Sequence, residues 1–134
     1  MNDTFSAAHQ QTPNDPLTHA IIGAAIQVNK GVGVGLLESA YETFLCHELE
    51  KLKLRISRQP PMPAVYDGVR VDLGYRPDII VESSVIIEVK TVAKILPVHQ
   101  AQLLTYLRLS GIKVGLIINF HAVPFKSGIK RLVF

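Results

Sequence analysis

Arg76-Pro77-Asp78 and Glu88-Val89-Lys90 put two carboxylates and a lysine on neighbouring short, β-like segments. Together these groups are the minimum equipment for holding a divalent cation against a phosphodiester and activating water beside it. Successive residues of a strand face opposite ways, so Glu88 and Lys90 share a face with Ile86, and Val85, Ile87 and Val89 take the other. Both faces are largely apolar, which predicts a central strand covered on both sides. Charges there are costly unless something compensates them. A buried Glu88–Lys90 ion pair is the competing, purely structural reading.

Asp78 can join Glu88 only under a geometric condition. If Ser83-Ser84 were a plain two-residue turn, Asp78 would pair with Val89 and face away from Glu88. A three-residue connection, Glu82 to Ser84, places Asp78 opposite Glu88 on the same face. A bulge would do the same. Pro77 suits the start of a strand or a bulge. A shared carboxylate site therefore predicts an odd register here.

The elements that must carry these residues can be read along the chain. Asp15-Pro16 reads as an N-cap with proline at the first helical position, opening a helix that runs to Lys30-Gly31. Gly31, Gly33 and Gly35 form a break. A second helix follows, with Leu37, Tyr41, Phe44, Leu45, Leu49 and Leu52 on its apolar face; Glu42, Glu48, Glu50, Lys51 and Lys53 are expected to be mostly solvated. Arg55 to Gln59 reads as a short extended segment, broken by Pro60-Pro61-Met62-Pro63. Asp67-Gly68 between Ala64-Val65-Tyr66 and Val69 to Leu73 is a strong hairpin signal. Ile79 to Glu82 and Val85 to Lys90 are two further strands. Pro97 opens a third helix closed by Gly111, Val114 to Phe120 is a buried strand, and Ile129 to Phe134 is a last one. Helices, an antiparallel meander, a helix and a strand predict an α/β sandwich with a mixed sheet.

Composition sets outer limits. A chain of 134 residues, 48% hydrophobic with a mean hydropathy of +0.25, is expected to form one domain with a substantial core rather than a disordered segment. No apolar run reaches the roughly 18 residues needed to span a bilayer. Residues 1–15 are polar, without a basic leader or an apolar core, which predicts a mobile tail rather than a signal peptide and a cytoplasmic protein. The single Cys46 excludes an internal disulfide framework and a cysteine-based zinc site, and its apolar setting predicts a buried structural thiol. A net charge of +3 and an isoelectric point near 9.1 permit nucleic-acid binding without requiring it.

Proline-aspartate, a spacer and glutamate-x-lysine resemble the signature of the PD-(D/E)XK nuclease superfamily. Gly35-Leu36-Leu37-Glu38-Ser39-Ala40-Tyr41 resembles the pattern that names the GxxExxY family, a small single-domain branch of it. The similarity extends through Ile21-Ile22-Gly23-Ala24-Ala25 and from His99-Gln100-Ala101-Gln102 to Leu116-Ile117-Ile118-Asn119-Phe120, covering roughly residues 17–134. It implies a restriction-endonuclease-like α/β sandwich over 16–134, with a central mixed sheet and helices on both faces. It also implies that Asp78 and Glu88 ligate Mg²⁺ or Mn²⁺, while Lys90 positions or polarises the attacking water and offsets charge on the phosphate. Glu38 would complete the metal shell or orient a water. Gln102 and Tyr106 match a Q-xxx-Y pattern that borders the active site in one branch of the superfamily.

The implied function is metal-dependent hydrolysis of phosphodiester bonds in DNA, or in RNA, leaving a 5′-phosphate. A homodimer or a partner protein would supply targeting. The alternative is an inactive nuclease-fold module that binds nucleic acid or protein. Read from the residues alone, Glu38 also suits the helix dipole, and Gln102 and Tyr106 suit an ordinary polar helix face. His99 shares the stripe of Gln102 and Tyr106. His19, His47 and His121 have no ligand spacing with one another. Gly31-Val32-Gly33-Val34-Gly35 lies between helices and lacks the phosphate-loop lysine, so it reads as a hinge. Arg55, Arg58, Lys94, Lys126, Lys130 and Arg131 are candidate phosphate contacts or a solvated basic surface.

Overall fold

A computed structural model describes residues 15–73 and 75–134; of the expected tail over residues 1–15, residues 1–14 lie outside the described residues and Asp15 caps the first helix. Helix α1 (Pro16–Val32) begins at Asp15, whose carboxylate accepts from the Leu17 N–H and the Thr18 hydroxyl. Helix α2 (Glu38–Lys51) follows the glycine break. Gly33 and Gly35 have φ of 67° and 107°, a region in which glycine is at ease. Tyr41 clasps this break: its hydroxyl donates to Gly33 O at 2.6 Å and accepts from the Leu36 N–H at 3.2 Å. Its ring stacks on Phe120 at 4.6 Å.

A five-stranded sheet runs β1 (Ile56–Arg58), β4 (Ile79–Val81), β5 (Val85–Lys90), β6 (Val114–Asn119), β7 (Ile129–Val133). Strands β5 and β6 are parallel and the other neighbours antiparallel. Parallel neighbours need a crossover, here helix α3 (Pro97–Ser110). Gly111, in the left-handed region, ends α3. Strands β2 (Ala64–Tyr66) and β3 (Val69–Val71) form a separate hairpin turning at Asp67-Gly68, outside the expected meander. Val65, Tyr66, Val69 and Val71 are all exposed, so the hairpin has no buried face to lay on the main sheet.

The core has two layers. Ile79, Val81, Val85, Ile87 and Val89 pack with α1 and α2, and Ile86 and Ile117 pack with Leu103, Tyr106 and Leu107 of α3. Strand β5 is therefore covered on both sides, with the facing expected from its alternation. Cys46 is buried in the first layer, where desolvation pushes its thiol up to about 11.

Helix α2 departs from the expected pattern. Leu37 is 78% exposed and Phe44 and Leu52 are also exposed, because the buried face of the helix is made instead by Tyr41, Glu42, Leu45, Cys46 and Leu49. Glu42, expected in solvent, is 3% exposed; Arg58 Nε and Gln59 Nε2 both donate to its Oε2. The charge is tolerated inside because it is paired and hydrogen-bonded.

Helix α3 approaches the sheet over Gly115, where an added Cβ would lie 2.8 Å from the buried Leu103 side chain. Gly115→Ala should destabilise the protein by about 1–3 kcal/mol through overpacking, measured by urea unfolding. An unchanged midpoint would mean that α3 is loosely seated.

Candidate functional site

The register of β4 on β5 decides the site. Ile79 pairs with Ile87, Ile80 with Ile86 and Val81 with Val85, so the connection is Glu82-Ser83-Ser84 and Asp78 falls opposite Glu88. Glu82 and Ser83 have φ of 52° and 51°, uncommon for residues with a side chain. One bond within the turn and three to Arg55 hold it. Ser84 N–H donates to Val81 O, Glu82 N–H donates to Arg55 O, and the Glu82 carboxylate accepts from the Arg55 N–H and guanidinium. Those two Arg55 contacts hold the Glu82 carboxyl below its ordinary range.

The two site carboxylates are latched through the backbone. Asp78 N–H donates to Glu88 Oε2 at 2.9 Å, and Val89 N–H donates to Asp78 Oδ2 at 2.7 Å. Each carboxylate thereby commits one oxygen and keeps the other. Glu88 is 3% exposed and Asp78 partly buried. Desolvation pushes Asp78 up to about 7, helped by Glu42 and Glu38 and opposed by the Val89 N–H and Lys90. Desolvation and then the Asp78 charge push Glu88 up to about 8, opposed by the Asp78 N–H and Lys90. The pair thus titrates near neutrality, as expected for close carboxylates out of water.

Lys90, partly exposed at the end of β5, lies within electrostatic reach of both carboxylates. Among the described residues no ion pair ties it to either one. The closed Glu88–Lys90 bridge of the structural reading is therefore not formed.

Glu38, at the first turn of α2, also acts electrostatically on both carboxylates. On the α3 side, Gln102 Nε2 donates to the Tyr106 hydroxyl at 3.4 Å. Tyr106 is fully buried, and desolvation followed by the Glu88 charge raises its phenol above the ordinary range. Helices on opposite faces of the sheet thus bring Glu38 and Tyr106 towards one pair of carboxylates.

Other candidates have local duties. His99 Nδ1 accepts from the Leu96 N–H and caps α3. His121 Nε2 lies 3.2 Å from Leu36 O. Arg58 is engaged by Glu42 and Arg55 by Glu82, while Arg131 is mostly buried, 3.9 Å from Asp15. These three are not a free basic surface. Lys94 and Lys130 instead meet at a polar cleft of about 390 Å³ with Gln100, His121 and Ser127. It lies beyond the carboxyl ends of the parallel strands, the usual place for ligands in sheets of this kind.

Two contributors escaped the sequence reading. Asn119 accepts from the Val92 and His121 N–H groups and donates to Val92 O, fixing the loop after Lys90. Its signal was a polar side chain in an otherwise apolar strand. Tyr75 leans on Tyr106 at 5.7 Å between centroids, and nothing in its sequence setting marks it.

A family model for the PD-(D/E)XK nuclease superfamily matches residues 15–132. The chain belongs to the PD-(D/E)XK nuclease superfamily. The mixed α/β architecture agrees with the restriction-endonuclease-like fold of that superfamily, whose nucleases generally use divalent metals. Comparison with curated proteins and with solved structures gave no match. Among the described residues no helix is long and apolar enough to cross a membrane.

The residues present suit a hard divalent cation. Among the described residues, no three His, Cys, Asp or Glu side chains gather into a complete metal cage. A magnesium-type ion needs no such cage, since one or two carboxylates with waters and substrate phosphate suffice. Two desolvated carboxylates, each with an uncommitted oxygen, are such a donor set.

The raised titration has a sign. The folded protein holds a proton that the unfolded chain gives up near pH 4, so this stabilisation is complete below about pH 4 and lost as pH rises through about 8. Metal-free wild type should therefore melt at a lower temperature at pH 9 than at pH 6, with a smaller difference in Asp78→Asn/Glu88→Gln. Thermal unfolding in chelator tests this, and identical pH profiles would remove the pair as the cause.

Proposed function

We propose that this protein is a metal-dependent nuclease of the GxxExxY branch that hydrolyses phosphodiester bonds in DNA. The observation that carries the proposal is Asp78 opposite Glu88 across β4 and β5, with Lys90 next on the same face of β5. Asp78 and Glu88, each with one oxygen left by its backbone bond, would hold Mg²⁺ or Mn²⁺. When bound, such an ion supplies positive charge against the phosphate and acidifies nearby water. Lys90 orients the attacking water and offsets charge developing on the phosphoryl oxygens. Glu38 accepts a hydrogen bond from water at the margin of the site, and the Gln102–Tyr106 pair walls it on the α3 side. In-line attack leaves a 5′-phosphate. Residues 16–134 form the single nuclease domain in this reading, with targeting by a second copy or a partner.

Titration calorimetry with Mg²⁺ and Mn²⁺ should give saturable binding in wild type, stronger at pH 8.5 than at 6.5 because the ligands must deprotonate. Asp78→Asn/Glu88→Gln should bind neither ion. Lys90→Ala should keep its fold by circular dichroism and lose DNA cleavage by about 100-fold or more at matched metal concentration. Cleavage by Lys90→Ala at the wild-type rate would make the site assignment wrong.

Lys94 and Lys130 are the phosphate contacts in this reading. Their joint replacement by alanine should weaken DNA binding uniformly across sequences and reduce the salt slope of log K by about one per lysine. An unchanged slope would move the strand away from that cleft.

A further inference from the structure

Tyr75 and helix α3 border an open hollow of about 370 Å³ lined by Tyr75, Val98, His99, Ala101, Gln102 and Thr105. Val98, Ala101, Gln102 and Thr105 fall at i, i+3, i+4 and i+7, so one stripe of α3 forms the wall. The wall is apolar where Val98 and Ala101 stand and polar at one edge. There, Gln102 has its carbonyl oxygen left after its amide donates to Tyr106. His99 uses Nδ1 as an acceptor, which leaves the Nε2–H of the neutral ring as a donor. Thr105 donates to Ala101 O and retains acceptor capacity.

Tyr75 supplies the opposite side, at 44% exposure. Its ring rests against Tyr106, which packs on Ile86, two residues before Glu88 on the same face of β5. Tyr75 itself is three residues before Asp78. A half-exposed aromatic ring beside a helix wall with mixed donors and acceptors at its edge is the chemistry that holds a planar, hydrogen-bonding heterocycle. Tyr106, bonded to Gln102 of the wall and within electrostatic reach of Glu88 and Asp78, links the hollow to the carboxylates, so that heterocycle and a phosphate at the site can belong to one strand.

We propose that this hollow binds an unstacked nucleobase of the strand being cut, so that the substrate is single-stranded DNA. This rests on the nuclease reading above. A base inside an intact duplex is stacked on its neighbours and cannot enter without unpairing.

The test uses the full chain carrying Lys90→Ala, to prevent cleavage, with a fluorescein-labelled single-stranded oligonucleotide and the blunt duplex of the same sequence, with Mg²⁺ present. The single strand should bind more tightly. Adding Tyr75→Ala should lower single-strand affinity about 5- to 100-fold, adding Tyr75→Phe should restore it, and neither should change duplex affinity. An abasic residue moved along the oligonucleotide should weaken binding at one position when Tyr75 is present and not in Tyr75→Ala. Calorimetric Mg²⁺ binding unchanged by Tyr75→Ala separates a lost stacking surface from a disturbed site. Duplex binding as tight as single-strand binding and indifferent to Tyr75 overturns the pocket and leaves the nuclease reading standing. Failure to bind either form overturns both.

Discussion

The pairing of Asp78 with Glu88 depends on a connection of three residues rather than two between β4 and β5. With side-chain period two, a slip of one residue would send Asp78 to the other face of the sheet. Two residues of that connection take positive φ, and the Glu82–Arg55 contacts hold them there. The exposed ion pair alone contributes little, but the buried layers on both faces penalise any other register. Opposed in this way, the carboxylates cross-bond to backbone N–H groups of each other's strands, so strand pairing and site geometry are one arrangement.

That arrangement is electrostatically uncomfortable without a ligand. Two carboxylates withdrawn from water, with Glu38 and Glu42 nearby, favour a retained proton or a cation. Arg58 is paired with Glu42, whereas among the described residues no cation is paired with Asp78 or Glu88. The remaining elements serve the site: Tyr41 pins the turn that launches Glu38, and Gly115 lets α3 close down with Gln102 and Tyr106.

Much of the scaffold was legible because it is local. Asp15-Pro16, Pro97 and Gly111 bound helices, Asp67-Gly68 makes its hairpin, and alternation in β5 predicts which residues meet which layer. What was misread is non-local. Glu42 looks like a solvent residue until β1 brings Arg58 against it. Leu37, Phe44 and Leu52 look like part of the apolar face, but packing turns the buried face of the helix towards Glu42 and Cys46 and leaves them exposed. The β2–β3 hairpin has strand composition, but among the described residues it pairs with no strand of the main sheet.

By itself the sequence determined the elements, the two-sided burial of β5 and a carboxylate–lysine set with a stated geometric condition. These follow from periodicity and backbone preference, which act over a few residues. Only the tertiary structure decided that the condition is met. It also joined Glu38 and Tyr106 to the site from opposite layers and set Tyr75 beside α3. Those outcomes depend on strand register and on packing between segments far apart in the chain, where burial and pairing across the fold outweigh local preference.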